Sequence, residues 1–263
     1  MKEIVIIGVP GSGKSVLLAL FMKHLDEAVF VDGNVDNPLW KHLFQGKELK
    51  REPFKVSVPL RNFMLCVACG LCAKNCPFKA ISEEDLWIDP LECEGCGICA
   101  YNCPQRALEI ANMQIGEKVL VEEENKLLIY GQLLPGALGG PMLVESLREE
   151  ARNKNRKFLV SEVFGLGESA WRLAYKAECG IFIINPETPI EIFSRFKSFE
   201  VQERYLVFNQ SGCDPEREEN LIEQAQKDDF KLLARVPWEE KQDLSYLDRA
   251  QWMSKYIPLK EFL

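Results

Sequence analysis

Eight of the ten cysteines fall between positions 66 and 103, and their spacing constrains this chain more than any other feature. The first set is Cys66, Cys69, Cys72 and Cys76, followed by Pro77; the second is Cys93, Cys96, Cys99 and Cys103, followed by Pro104. Each set reads C-x2-C-x2-C-x3-C-P. Matching members lie 27 residues apart throughout, and "KAI" at 79–81 returns as "RAL" at 106–108. Residues 61–112 are therefore two copies of one small unit.

The chemistry follows from the interval. Three closely spaced thiolates suit one face of a [4Fe-4S] cubane, and the fourth is carried away on a short helix to the other cluster, as in bacterial ferredoxin spacing. Cluster one is expected on Cys66, Cys69, Cys72 and Cys103, and cluster two on Cys76, Cys93, Cys96 and Cys99. Gly70, Gly95 and Gly97 suit a chain that turns tightly around sulfur. Zinc is the main rival, but it prefers C-x2-C pairs separated by a longer loop. Disulfides are disfavoured in the reducing compartment expected below. Cys179 and Cys213 stand alone, the first as a small hydrophobe before a strand and the second in a loop.

Some fifty residues earlier the chain reads "GVPGSGKS" (8–15), which matches G-x-x-x-x-G-K-[ST] at Gly8, Gly13, Lys14 and Ser15. Glycines let the backbone curl so that successive N–H groups, those of Gly11, Ser12, Gly13 and Val16 among them, aim at phosphate oxygens. The helix that follows adds the positive end of its dipole. Lys14 is expected on the β and γ phosphates and the Ser15 hydroxyl on Mg²⁺.

Short continuous apolar runs recur at 3–8, 28–32, 157–161, 180–184, 204–208 and 231–235. Continuous rather than alternating runs indicate strands covered on both faces. Helical segments are expected between them at 14–25, 141–153, 169–178, 189–199 and 215–228. Strands alternating with helices imply a mostly parallel sheet with helices on both sides. Residues 118–131 predict a hairpin around the acidic run Glu122–Glu124. The fold class is thus α/β, a P-loop NTPase three-layer sandwich in two parts (1–60 and 113–263), interrupted by an α+β ferredoxin domain of the bacterial type at 61–112. Phe193, Phe196 and Phe199 have helical spacing and are expected in the core. His24 and His42 are expected at the surface or at helix ends.

A phosphate loop near residue 1, a two-cluster insertion and a resumed α/β domain together resemble the MinD/Mrp group of P-loop ATPases with an inserted ferredoxin domain. That superfamily includes the nitrogenase iron protein and the ParA partition proteins. "VFVDGNVDNPLW" (29–40) resembles the family's D-x-D strand, "YGQLLPGALGGP" (130–141) its glycine-rich segment, and "FIINPETPIEIF" (182–193) its V-T-E-P-T-P loop. "LVFNQSG" (206–212) is similar to the strand end whose asparagine reads adenine, implying that role for Asn209. "LLARVPWEE" (232–240) resembles the I-P-x-D stretch near the base, implicating Pro237. Asp32 keeps the first D-x-D aspartate.

Three departures accompany the resemblance. The signature lysine that reaches the neighbour's nucleotide in a dimer falls on Val9. The water-orienting aspartate becomes Asn34. The Mg²⁺-supporting aspartate aligns with Ser161, and Glu162, one residue on, is expected to point to the opposite face. Phosphoryl transfer needs charge stabilisation and a placed nucleophile, so nucleotide binding is expected to outlast hydrolysis.

The 263 residues carry a net charge of −8, which disfavours an exposed polyanion as partner. Nothing approaches the ~20 apolar residues of a membrane span, and Pro258 interrupts the faintly amphipathic C-terminal segment. The apolar run at the N-terminus leads into the glycine loop rather than a secretory cleavage site, so the expected setting is cytoplasmic. The reading is an ATP- or ADP-binding iron–sulfur protein, with Mg²⁺ and two clusters, coupling nucleotide state to electron transfer or metallocluster assembly. Its partners are a redox or metallocluster protein and a second chain, identical or a paralogue supplying the missing lysine. The alternatives are an electron-transfer module with structural nucleotide, or a MinD-like positioning protein with redox-sensing clusters.

Overall fold

The computed structural model describes residues 1–90, 92–238 and 245–259. Its frame is a nine-stranded sheet in the order β3-β4-β5-β2-β6-β1-β7-β8-β9. The strands are β1 (Lys2–Gly8), β2 (Ala28–Asp32), β3 (Lys47–Arg61), β4 (Leu108–Glu123), β5 (Lys126–Leu133), β6 (Phe158–Glu162), β7 (Ala177–Ile184), β8 (Val201–Ser211) and β9 (Lys231–Pro237). From β5 to β9 every neighbouring pair is parallel, whereas β3 and β4 pair antiparallel with each other and β4 antiparallel with β5. The six apolar runs all lie in parallel strands, because only strands covered on both faces can be apolar throughout.

Two cores lie on opposite faces of the sheet. One is closed by α4 (Gly140–Arg152), α5 (Glu168–Ala174), α6 (Ile192–Lys197) and α7 (Pro215–Lys227), with Leu143, Leu147, Leu173 and Leu221 packed on Val5, Val31 and Phe182. Phe193, Phe196 and Phe199 are buried there beside Phe182, with ring centroids 4.9 to 6.3 Å apart in the contacting pairs. The other face is covered by α1 (Lys14–His24), a 3-10 turn at Trp40–His42 and α8 (Tyr246–Met253), through Leu17, Phe21, Trp40, Ala250 and Met253. Cys179 sits in this second core, where burial pushes its thiol up to about 12; Cys213 is exposed.

Some boundaries differ from the sequence expectation for local reasons. The helix expected to run to 178 stops at Ala174, because Lys176 adopts a left-handed φ of 58° and β7 begins at Ala177. The acidic hairpin exists, but Glu122 and Glu123 still pair with Leu127 and Lys126, and the turn starts at Glu124. The larger difference is the ribbon. β3 and β4 pair from Lys47↔Glu122 to Arg61↔Leu108, and residues 62–107 hang from its tip. The first half of β3 is charged and solvated, so it lacks the apolar run that announces a covered strand.

Candidate nucleotide and iron–sulfur sites

At the end of β1 the chain must pass closer to β7 than a side chain permits. A Cβ on Gly8 would come within 2.5 Å of the Ile183 carbonyl oxygen, and one on Gly13 within 2.6 Å of Asn209 Nδ2, at a φ of 105°. Between them the loop closes with Ser12 N donating to Val9 O at 3.2 Å, and α1 starts at Lys14. Lys14 Nζ donates to the Gly8 and Val9 carbonyls, both at 3.0 Å, folded across the loop's mouth. Burial lowers the pKa of this ammonium, opposed by the carboxylate of Glu162.

That carboxylate corrects the sequence expectation. Glu162 ends β6, where it lies opposite Asp32 of β2 and Ile6 of β1. It shares a face with Val160, and Val160 belongs to the core under α1, whereas Leu159 belongs to the other core. Alternation therefore sends Glu162 towards α1 and Ser161 away from it. Ser15 Oγ donates to Glu162 Oε1 at 2.8 Å, while Ser161 Oγ reaches only the Ile4 carbonyl at 3.5 Å. Glu162, not Ser161, is the acid beside the serine.

Asp32 is 2% exposed and accepts from Asn34 N and Trp40 N, both at 3.0 Å. Trp40 in turn donates through Nε1 to Glu162 Oε2 at 3.2 Å, so one tryptophan ties the two acids, Asp32 by its backbone N–H and Glu162 by its indole. Burial pushes Asp32 up to about 6 despite those backbone donors, and Glu162 up to about 7 despite Ser15 and Lys14. Two carboxyls desolvated side by side, next to a serine and a lysine, form a site that gains from a divalent cation.

These groups line one open concavity of about 900 Å³, with Gly11, Gly13, Lys14, Ser15 and Val16 on its floor. Tyr246 and Arg249 of α8 line it too, and neither carries a sequence motif that could have singled it out. Asn209 braces the loop instead of facing the cavity: its Nδ2 donates to Ser12 O at 2.9 Å. Pro237 pairs with Ser211 at the end of β9 and lies outside the concavity lining. Val9 places no charge in the loop.

The cysteine repeat is a repeat of conformation as well. Gly70 and Gly97 cap the short helices α2 (Leu71–Lys74) and α3 (Ile98–Tyr101) with the same φ of 76°. Ala68 and Gly95, and then Lys79 and Arg106, are left-handed at equivalent places. The two halves interlock around Ala73, Ile81, Leu86, Cys99 and Leu108. Cys66, Cys69 and Cys72 line one shallow concavity together with Cys103. Cys93, Cys96 and Cys99 line a second together with Cys76. Each concavity thus takes three cysteines of one set and the fourth of the other. Among the described residues no three His, Cys, Asp or Glu side chains close in as they would around a single ion. Four thiols spread around a hollow fit a cubane better than zinc.

Comparison with known proteins agrees with this geometry. Residues 59–82 and 86–109 each match the 4Fe-4S binding domain family. A plasmid partition protein from Borrelia burgdorferi superposes with a TM-score of 0.50 at 12% identity, covering 100% of this chain and 99% of that one. The fold is that of this partition protein. A second partition protein, from Borrelia burgdorferi B31 and bound to AMPPNP, covers 99% and 98% of the two chains at 12% identity and a TM-score of 0.49. The septum site-determining protein MinD from Pyrococcus horikoshii, complexed with Mg-ADP, covers 97% and 89% at 14% identity and 0.46. No curated protein sequence matches the chain. In this sheet the segment that matches the 4Fe-4S family occupies the ribbon end, next to the antiparallel edge strand β3. None of the described helices is long and apolar enough to cross a membrane.

Proposed function

We propose that this chain is an ATP-binding iron–sulfur protein whose nucleotide state governs electron delivery, or metallocluster assembly, by two [4Fe-4S] clusters. One observation carries the reading: a phosphate-loop cavity and two four-cysteine hollows are built onto the same sheet. Lys14 and the amides at the start of α1 would hold the phosphates, and Ser15, Glu162 and Asp32 would support Mg²⁺. Cys66, Cys69, Cys72 and Cys103 hold one cluster and Cys76, Cys93, Cys96 and Cys99 the other, in an inserted unit at 61–112. The clusters supply one-electron chemistry.

Hydrolysis by the isolated chain is slow in this reading. Val9 and Asn34 remove the trans lysine and the water-orienting acid, although Glu162 preserves the metal's support. The working unit is then a dimer, with a paralogue bringing the lysine, in the cytoplasm. The test uses one anaerobic sample of the full chain. Iron and sulfide analysis is expected to give about eight of each per chain, with an EPR signal on reduction. Calorimetry is expected to show Mg-ATP binding that Lys14→Ala abolishes. A colourless protein, or one indifferent to adenine nucleotides, overturns the proposal; brisk ATP turnover by the chain alone overturns the need for a partner.

A further inference from the structure

The repeat makes the two cysteine hollows equivalent in backbone, so differences in charge between them stand out. Position 61 is arginine and its counterpart 27 residues on, position 88, is isoleucine; position 67 is valine and its counterpart, position 94, is glutamate. Both charged members face the hollows. Arg61 lines the one formed by Cys66, Cys69, Cys72 and Cys103, and its Nη2 lies 4.0 Å from Cys72 Sγ. Its Nε is buried with no hydrogen-bond partner among the described residues. Glu94 lines the other hollow, between Cys93 and Cys96. Among the described residues the first lining holds no carboxylate and the second holds no cation; Arg172, outside the second lining, reaches Glu94 at 3.4 Å but is shared with Glu145 and Glu168, so it offsets only part of that charge. The pair that is charged in both halves of the repeat, Lys79 and Arg106, has the same sign in each and is exposed in both.

We infer that Arg61 and Glu94 set the two clusters at different reduction potentials, the Cys66/Cys69/Cys72/Cys103 site high and the Cys76/Cys93/Cys96/Cys99 site low. The inference rests on the two-cluster reading above and goes beyond it by ranking the sites. One electron entering a four-thiolate cubane takes its total charge from −2 to −3. A guanidinium beside a ligand sulfur offsets that added charge, and a carboxylate beside it opposes it. Burial acts in the same direction, since the lower-dielectric site disfavours the more highly charged state. Cys99 is buried, whereas its counterpart Cys72 is only half-buried. Cation, anion and desolvation agree in sign. The first electron from any one-electron donor therefore settles at the site beside Arg61. A second electron is needed before the site beside Glu94 holds one.

The test is an anaerobic titration of the full chain with dithionite as the one-electron donor, followed by EPR, with iron content measured on every sample. Wild-type protein is expected to reduce in two separated one-electron steps. Arg61→Met is expected to lower the upper step and leave the lower nearly in place, while Arg61→Lys, which keeps the charge, holds it near wild type. Glu94→Val installs the residue the repeat itself uses at position 67 and is expected to raise the lower step; Glu94→Gln, which keeps the shape, is expected to do the same. With both charges removed the two steps draw together. Coincident steps in the wild type overturn the inference, as does an upper step unmoved by Arg61→Met in protein that retains its iron. Loss of iron from Arg61→Met with full iron in Arg61→Lys supports a guanidinium-side cation at the cluster. A wild-type chain without iron fails the two-cluster reading instead, and the two failures are told apart by the iron assay alone.

Discussion

Glu162 shows what a single residue contributes here and why its role escapes alignment. A strand's face is fixed by parity, and a short stretch such as "SEVFG" offers no internal mark of which residue is even. Burial of Val160 against α1 is that mark, and only the folded sheet provides it. The acid's raised pKa has a measurable consequence. Glu162 and Asp32 keep protons in the folded, nucleotide-free chain at pH values where the unfolded chain has lost them. Their contribution is thus fully present below the unfolded carboxyl range near pH 4. It is lost as pH rises through about 6 and about 7. Thermal melts of nucleotide-free protein are expected to show stability falling from pH 5 to 8 by up to the order of 3 kcal/mol from Glu162. Glu162→Gln is expected to flatten that slope, and equal slopes for the two proteins would refute the assignment. The same substitution is expected to weaken Mg²⁺-dependent nucleotide binding by about tenfold to a hundredfold, the range seen when a metal's supporting acid is removed. Calorimetry with and without Mg²⁺ checks it. By contrast, Gly8, Gly13, Lys14, Ser15 and the eight cysteines were legible at once, because spacing within one loop needs no tertiary information.

Whole elements divide in the same way between local and non-local signals. The parallel strands announce themselves by apolar runs; the ribbon β3–β4 does not, because its stability comes from pairing two solvated strands over their full length. Arg61 and Leu108 are a directly opposed pair at its tip, and Asn62 N still donates to Ala107 O at 2.8 Å beyond them. Replacing residues 62–107 by Asn-Gly, a two-residue turn suited to a tight hairpin, is expected to leave a colourless chain that still folds and binds Mg-ATP. A collapse in its cooperative melting would show that the inserted unit is not separable from the sheet. Helix α8 was equally invisible in function. Its capping box on Ser245 and its packing on α1 are local facts, but they turn Tyr246 and Arg249 to the phosphate cavity. Lys14 and Arg249 are the only cationic side chains among the described residues lining that cavity. Arg249→Ala is expected to reduce ATP affinity by about tenfold, the worth of one charge-assisted hydrogen bond, with partial recovery in Arg249→Lys. Unchanged affinity in a helix-intact variant, verified by circular dichroism, would place Arg249 outside the site.

At the scale of the molecule the phosphate cavity and the cysteine hollows are joined by a short route. Glu162 touches Ser15, and the next residues, 163–167, contain Gly165 at a φ of 77° before α5 begins at Glu168. One turn into α5, Arg172 pairs with Glu168 and Glu145 and reaches Glu94 at 3.4 Å, between two cysteines of the second hollow. Arg148, buried on α4, anchors this corner through the carbonyls of Arg172 and Tyr175 and through Glu3. A cation held by Ser15 and Glu162 would bear on the start of the 163–167 loop, and α5 would carry any shift there to Arg172 and so to the charge on Glu94. Mg-ATP is therefore expected to shift the reduction of the site beside Glu94 more than that of the site beside Arg61. Arg172→Ala is expected to remove most of that nucleotide response while leaving ATP affinity unchanged, since a partly exposed ion pair adds little to folding. EPR-monitored titrations with and without Mg-ATP, on wild type and variant, decide the point. A response equal at both sites, or one that survives Arg172→Ala, means that the nucleotide acts through the dimer partner and not through α5.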